Sequence, residues 1–132
     1  MAYIVNKTNS SASPNQFVIS DGTVNNQTEL SLVGKGYAGY GEIIAENFLH
    51  LLENFSNTTA PTKPIKGQLW FDETSGKLKV YAGTSFQPAG GATYQNTEPS
   101  QATAGDLWVK ESTQQLYFNN GTEHVLVGPV ST

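Results

Sequence analysis

Cysteine is absent from this chain of 132 residues. That excludes disulfides, thiolate chemistry and cysteine-ligated zinc together. Charge is scarce as well: charged residues are 14% of the sequence and the net charge is −4. No cluster of Lys and Arg exists, and duplex binding needs several such contacts to phosphate, so no nucleic-acid partner is expected. No apolar run approaches the roughly 18 residues of a membrane span. The opening stretch MAYIVNKTNS carries one lysine and no hydrophobic core segment, so it does not read as a secretory signal. What remains is uncharged and polar: Asn, Thr, Ser, Gln and Gly dominate, and apolar residues make up only 37%. The length suits one domain or two very small modules. A chain this small, without staples, draws stability from its own core or from partners.

Short β-prone runs open the sequence, at Tyr3–Lys7 and Gln16–Ser20. Asp21-Gly22-Thr23 is a turn signal, and Thr28–Gly34 alternates, with Leu30 and Leu32 opposite Ser31 and Val33. The segment GYAGYGEIIAENFLHLLENF predicts a helix. Ile44, Phe48, Leu51, Leu52 and Phe55 recur at spacings of three and four, and Tyr40 extends the stripe backwards. Glu42 and Glu46 lie in the early turns, where a carboxylate suits the helix dipole. Pro61 and Pro64 are read as the terminators. A lone helix of this length is marginal in water, so the stripe must pack on something.

From Pro61 onward the chain repeats itself with an offset of 38 residues. Pro61, Gly67, Leu69, Trp70, Glu73, Leu78, Gly83, Thr84 and Gly90 fall on Pro99, Gly105, Leu107, Trp108, Glu111, Leu116, Gly121, Thr122 and Gly128. Each copy reads as three strands, in the first Gln68–Asp72, Lys77–Ala82 and Ser85–Pro88. The expected organisation is an N-terminal strand and helix module over 1–60, a first β-repeat over 61–90, a linker over 91–98, and a second repeat with its tail over 99–132. The period of two puts Leu69, Phe71, Leu78 and Val80 on one face, taken as the inner layer. Trp70 and Tyr81, with Lys77 and Lys79, then lie on the outer face, and Trp108 repeats the arrangement. A sheet with aromatics on its outer face wants a second partner.

Catalytic chemistry finds little support. His50 stands near Glu46 and Glu53 at helical spacing, but this reads as the solvated face opposite the stripe. His124 replaces Phe86 of the first repeat. Asp72 and Glu73 are neighbours in a turn, and Asp106 and Glu111 form no pair, so the paired carboxylates of glycan cleavage are missing. Asp72 is expected to cap its turn through its side chain. GKGYAGYG lacks the Lys-Ser/Thr of a phosphate loop. No enzyme, metal or cofactor is expected. The Asn-x-Ser/Thr triplets, such as Asn26–Thr28, read as polar turns. Trp70, Tyr81 and Trp108, with Phe86, offer two readings. They form a platform that stacks sugars, or they pack between modules or chains, where Trp and Tyr are also enriched. Their recurrence at one position of each repeat favours packing.

The run from Leu30 to Gly83 resembles the N-terminal module of tail-fibre and appendage proteins of large contractile-tailed bacteriophages, the T4-like group and its cyanophage and marine relatives. The matching features are Gly-Tyr-x-Gly-Tyr-Gly, the helix ending in Leu-Leu-Glu-Asn-Phe, Ala-Pro-Thr-x-Pro, and the Gly-Gln-Leu-Trp-Phe-Asp hairpin. GDLWVKESTQQLYFNNGTEHVLVGP is similar to the Gly-Asp-Leu-Trp repeat of phage fibres. The resemblance covers about Asp21 to Pro129. It implies a virion structural protein, made in the host cytoplasm, oligomeric and often trimeric. Many such chains continue into a shaft and a receptor-binding tip. This one ends after its second repeat, which directs the expectation to an adaptor, decoration or short-fibre role in the tail.

The expected fold is therefore mainly β with one amphipathic helix. The expected function is a homotrimeric phage structural subunit that contacts other virion proteins. Tyr40, Ile44, Phe48, Leu51, Leu52, Phe55, Trp70, Tyr81 and Trp108 are its expected interface. The alternatives are a receptor- or glycan-binding module using Trp70, Tyr81 and Trp108 on a host surface glycan, and a capsid decoration or neck protein.

Overall fold

A computed structural model describes residues 1–8, 15–100 and 102–130. Parts of the expected 1–60 and 99–132 modules, at 9–14, 101 and 131–132, lie outside the described residues. The chain is mainly β, with eleven strands and one helix among the described residues. It divides into two compact units, Met1–Gln87 and Pro88–Thr132. The first repeat thus shares a unit with the N-terminal segment.

In the first unit β1 (Ala2–Asn6) pairs antiparallel with β2 (Gln16–Ser20), setting Tyr3 opposite Ile19. Ile19 is the most deeply buried side chain among the described residues, at 2% exposure. The Asp21–Gly22 turn follows, with Gly22 at φ 70. The Thr23 hydroxyl donates to the Ser20 carbonyl at 2.7 Å. β3 (Val24–Asn25) then pairs with β4 (Leu32–Val33). Helix α1 spans Tyr40–Leu52. It starts after Gly39, whose φ of 80 turns the chain into it. It stops well before Pro61, because Asn54 and Phe55 adopt left-handed conformations, φ 52 and 54. The Phe55 N–H donates back to the His50 carbonyl at 2.9 Å, which closes the last turn. Phe55 therefore leaves the expected helical stripe and sits half-buried beyond it.

The first repeat forms a three-stranded sheet of β5 (Leu69–Asp72), β6 (Lys77–Tyr81) and β7 (Phe86–Pro88). Asp72 caps its turn as expected, its Oδ1 accepting from the Thr74 N–H at 2.9 Å. The second unit is a four-stranded sheet in the order β11-β10-β9-β8. It contains β8 (Thr93–Tyr94), β9 (Leu107–Lys110), β10 (Gln115–Asn119) and β11 (His124–Gly128). β8 runs parallel to β9 and arises inside residues 91–98, which were expected to be a linker. It is too short to show a period of two, and backbone bonds hold it. The Gln95 N–H donates to the Val109 carbonyl at 3.2 Å, and the Glu111 N–H donates to the Gln95 carbonyl. In the first repeat the Asn57 N–H donates to the Phe71 carbonyl at 3.3 Å and the Glu73 N–H to the Asn57 carbonyl at 3.1 Å. These are the same bonds at an offset of 38 residues. The repeat therefore begins near Asn54 and Ala92, ahead of the expected boundaries.

Both copies share further bonds. The Gly67 N–H donates to the Tyr81 carbonyl and the Gly105 N–H to the Asn119 carbonyl. Gly67 and Gly105 adopt φ 91 and 93 there, a conformation that favours glycine.

Pairing sets Trp70 across from Lys79, between the pairs Leu69–Val80 and Phe71–Leu78. The expected partition into two faces is correct, but the inner face is the other one. Trp70 is 6% exposed and Trp108 5%, while Leu69, Leu78 and Leu107 are exposed. An indole is the largest apolar body available, and a sheet of three or four short strands has room for one such ring. The Phe86 ring meets Trp70 edge-on, with centroids 5.1 Å apart, and the Lys79 ammonium sits 5.3 Å from the Trp70 centroid. In the second sheet His124 takes the edge-on place at 5.3 Å, and Tyr117 stacks on Trp108 at 4.8 Å. The Trp108 indole N–H donates to the Gln95 carbonyl at 2.8 Å.

Both copies leave buried polar atoms without a partner, Gln68 Nε2 and Trp70 Nε1 in the first and a ring nitrogen of His124 in the second. His124 Nδ1 lies 3.1 Å from Glu98, while its buried Nε2 has no partner. An unpartnered buried polar atom costs about 1–3 kcal/mol. Glu98 is largely exposed, so its contact with the imidazole returns little. His124→Phe, which installs the ring of the first repeat, is expected to raise the stability of the second unit by about 1 kcal/mol in urea titrations.

Candidate assembly surface

The residues expected to build an interface divide into two groups. Trp70 and Trp108 are buried within their own sheets, and Tyr81 is half-buried with its ring 5.1 Å from Phe86. Trp70, Tyr81 and Trp108 therefore do not form a platform facing solvent, which corrects both the glycan-stacking reading and the outward tryptophan interface. The helix keeps its apolar surface in water. None of its residues is buried. Phe48 is 65% exposed, Leu52 79% and Tyr40 60%, and Ile44, Leu49 and Leu51 are exposed as well.

At 3.6 residues per turn, Ile44, Phe48, Leu49, Leu51 and Leu52 form one uninterrupted apolar arc. Glu42, Glu46 and Glu53 occupy the opposite arc. The helix is held to its own chain along a third, narrow line through Ile43 and Asn47. The Asn47 carboxamide accepts from the Ser31 N–H at 3.1 Å and donates to the Ser31 carbonyl at 2.8 Å. It mimics a strand partner for the residue that precedes β4. Ile43 and Asn47 were not among the expected residues. Hydrophobic periodicity reports the apolar stripe, whereas the tether is a polar side chain that it does not report.

Taking roughly 150–250 Å² for a fully exposed large side chain, the apolar arc with Tyr40 leaves on the order of 600 Å² in water. The largest patch on a typical monomer is about 300–600 Å². A stable interface buries about 800 Å² per partner. Next to the arc is a cavity of about 490 Å³ lined by Tyr3, Val33, Gly34, Gly36, Tyr37, Tyr40 and Ile44. No charged side chain lines it.

The candidate polar groups do not converge. His50 Nδ1 lies 3.5 Å from Glu53, and both side chains are about half exposed. Among the described residues no three His, Asp or Glu come together as a metal ligand set. No helix among them is long and apolar enough to cross a membrane.

The Asp72 carboxyl is perturbed by its surroundings. The Lys79 ammonium, 2.9 Å away, holds its carboxyl below the ordinary range; burial opposes this, and the Thr74 N–H and Ser75 hydroxyl assist. A folded-state value below the unfolded one stabilises the fold above the ordinary carboxylate pKa of about 3.9, and this is lost as pH falls through the folded value. Lys79→Met is therefore expected to flatten the acid limb of the Trp70 sheet's pH–stability profile, read by melting between about pH 5 and pH 2. In the second repeat Lys110 and Tyr117 stand in place of this pair, so the Trp108 sheet lacks that limb.

No family model matches this chain, and neither a curated protein nor a solved structure does. Its own geometry carries the functional argument.

Proposed function

We propose that this chain is a structural subunit of a bacteriophage particle, a short fibre or adaptor in the tail, and that it assembles with copies of itself as a homotrimer. The role is non-catalytic, and head decoration or neck placement belongs to the same structural class. The observation that supports self-assembly is α1: a helix with a continuous apolar arc and no buried residue. Burying a Phe or Leu side chain is worth roughly 1.5–3 kcal/mol. A second surface covering Phe48, Leu51 and Leu52, together with the rest of the exposed arc, therefore contributes several kcal/mol against the cost of association. The resemblance of the segment around Trp70 to phage appendage modules supports the particle.

Light scattering behind a sizing column tests the assembly. A mass near three times 14.2 kDa is expected. A monomer at high micromolar concentration rules self-assembly out. Mass spectrometry of purified particles tests the virion role, and absence of the chain from them ends it.

A further inference from the structure

We infer that the cavity walled by Tyr3, Val33, Tyr37, Tyr40 and Ile44 is a socket for Phe48 of a second copy of this chain. The inference rests on the self-assembly reading above and specifies its contact: unlike surfaces meet, not the same residue on each copy.

Socket and knob lie on one helix. Tyr40 and Ile44, in the first half of α1, wall the cavity. Phe48 and Leu52, in the second half, project from the same apolar arc and are largely uncovered. Phe48 stands one turn beyond Ile44, about 6 Å along the helix axis at 1.5 Å per residue. Its ring is 65% exposed and does not line the cavity, so the socket of its own chain stays open to a neighbour's ring. The cavity is apolar and wide enough for an aromatic ring. A contact that stacked Phe48 on Phe48 would leave the socket empty, and an empty apolar void in an interface is costly.

Charge selects the same arrangement. Glu46 and Glu53 flank the knob half of the helix, and Glu42 lies on the same acidic arc. Helices set side by side in the same direction bring these carboxylates towards their own counterparts. The socket rim instead carries Lys35, between the lining residues Gly34 and Gly36. Its side chain is exposed and has no ion pair among the described residues. Seating a knob in a socket brings the acidic flank of one copy towards Lys35 of the next. Unlike surfaces on one subunit also propagate, and a rotation that closes turns them into a ring such as a trimer.

Two substitutions at exposed sites test this. Phe48→Glu removes the knob and leaves the socket. Tyr40→Glu blocks the socket, leaves the knob, and suits the first turn of a helix. Each variant alone is expected to be a folded monomer by circular dichroism and light scattering, at concentrations where the wild type associates. Mixed one to one, they retain one intact knob and one intact socket, and are expected to form a heterodimer of about twice 14.2 kDa. A mixture that stays monomeric beside an associated wild type overturns the inference while self-assembly stands; this is the result if like packs on like or if the cavity takes another ligand. A Tyr40→Glu variant that still associates as the wild type does also overturns it. A monomeric wild type removes the self-assembly reading and the inference together.

Discussion

Trp70→Ala and Trp108→Ala are each expected to cost their sheet about 3–5 kcal/mol, enough to unfold it. The whole chain has three buried hydrophobic residues among those described, and two of them are these rings. A small domain has only about 5–15 kcal/mol of stability in total. Among the described residues, neither sheet buries a second hydrophobic side chain. In the first, Phe86 and Lys79 pack on Trp70 itself, and its removal leaves Phe86 to the half-buried Tyr81 and Lys79 to Asp72. In the second, Tyr117 and His124 depend on Trp108 in the same way. The sequence contains only two tryptophans, so each variant leaves one indole as a fluorescent reporter of the other sheet. Amide exchange reads the altered sheet directly: protection across β5–β7 or β9–β11 should fall to that of an open chain. A loss below about 1 kcal/mol would mean that the rings lie on the surface as first expected.

Gly34→Ala should be nearly as damaging, for a different reason. A Cβ at this position runs into the Ser20 carbonyl oxygen and comes within 3.0 Å of both Ile19 Cγ2 and the Thr23 carbonyl. Two of these three neighbours are backbone, and the Gly34 N–H already donates to the Thr23 carbonyl at 2.8 Å. Side chains yield to overpacking by changing rotamer; a hydrogen-bonded turn has no such freedom. A cost of about 3 kcal/mol, at the upper end of overpacking substitutions, is expected in urea titrations. The double variant Ile19→Leu with Gly34→Ala separates the causes. Leucine lacks the Cγ2 branch that the new Cβ would meet, which relieves the side-chain contact only, so the double variant should be no more stable than Gly34→Ala. Recovery in the double variant would place the clash on Ile19 instead of the backbone.

Much of this architecture was legible in the sequence. The class, the helix start, the three strands of the first repeat and the 38-residue offset follow from periodicity and self-similarity. The turn at Asp72 follows from side-chain chemistry. The inner face of the repeats did not follow. A period of two assigns Leu69, Phe71, Leu78 and Val80 to one side and Trp70 to the other, but it does not say which side is inside. Four aliphatic and aromatic residues outvote one indole by count, whereas a single large ring fills a thin sheet more completely. β8 was hidden for another reason. Two residues carry no pattern, and only the alignment of Gln95 with Asn57 reveals the strand. The helix ends early because Asn54 and Phe55 turn left-handed, which Phe55 does not advertise. On the exposed face of α1, the helical stripe places Ile44, Phe48, Leu51 and Leu52 on one arc, as the structure does. Asn47, which ties that arc to the body, was missed because its role lies in a backbone bond.

The early start of the repeat bears on how such a chain changes length. The backbone bonds that define each copy, from Asn54 to Phe71 and from Gly67 to Tyr81 in the first, begin and end inside one 38-residue frame. A tandem duplication of the DNA encoding that frame would add a complete set of donors and acceptors together with its own indole. Recombination between the two existing copies could delete or insert a unit in register. A frame cut at Pro61 and Pro99 would instead strand the parallel segment of each copy on the wrong side of the junction.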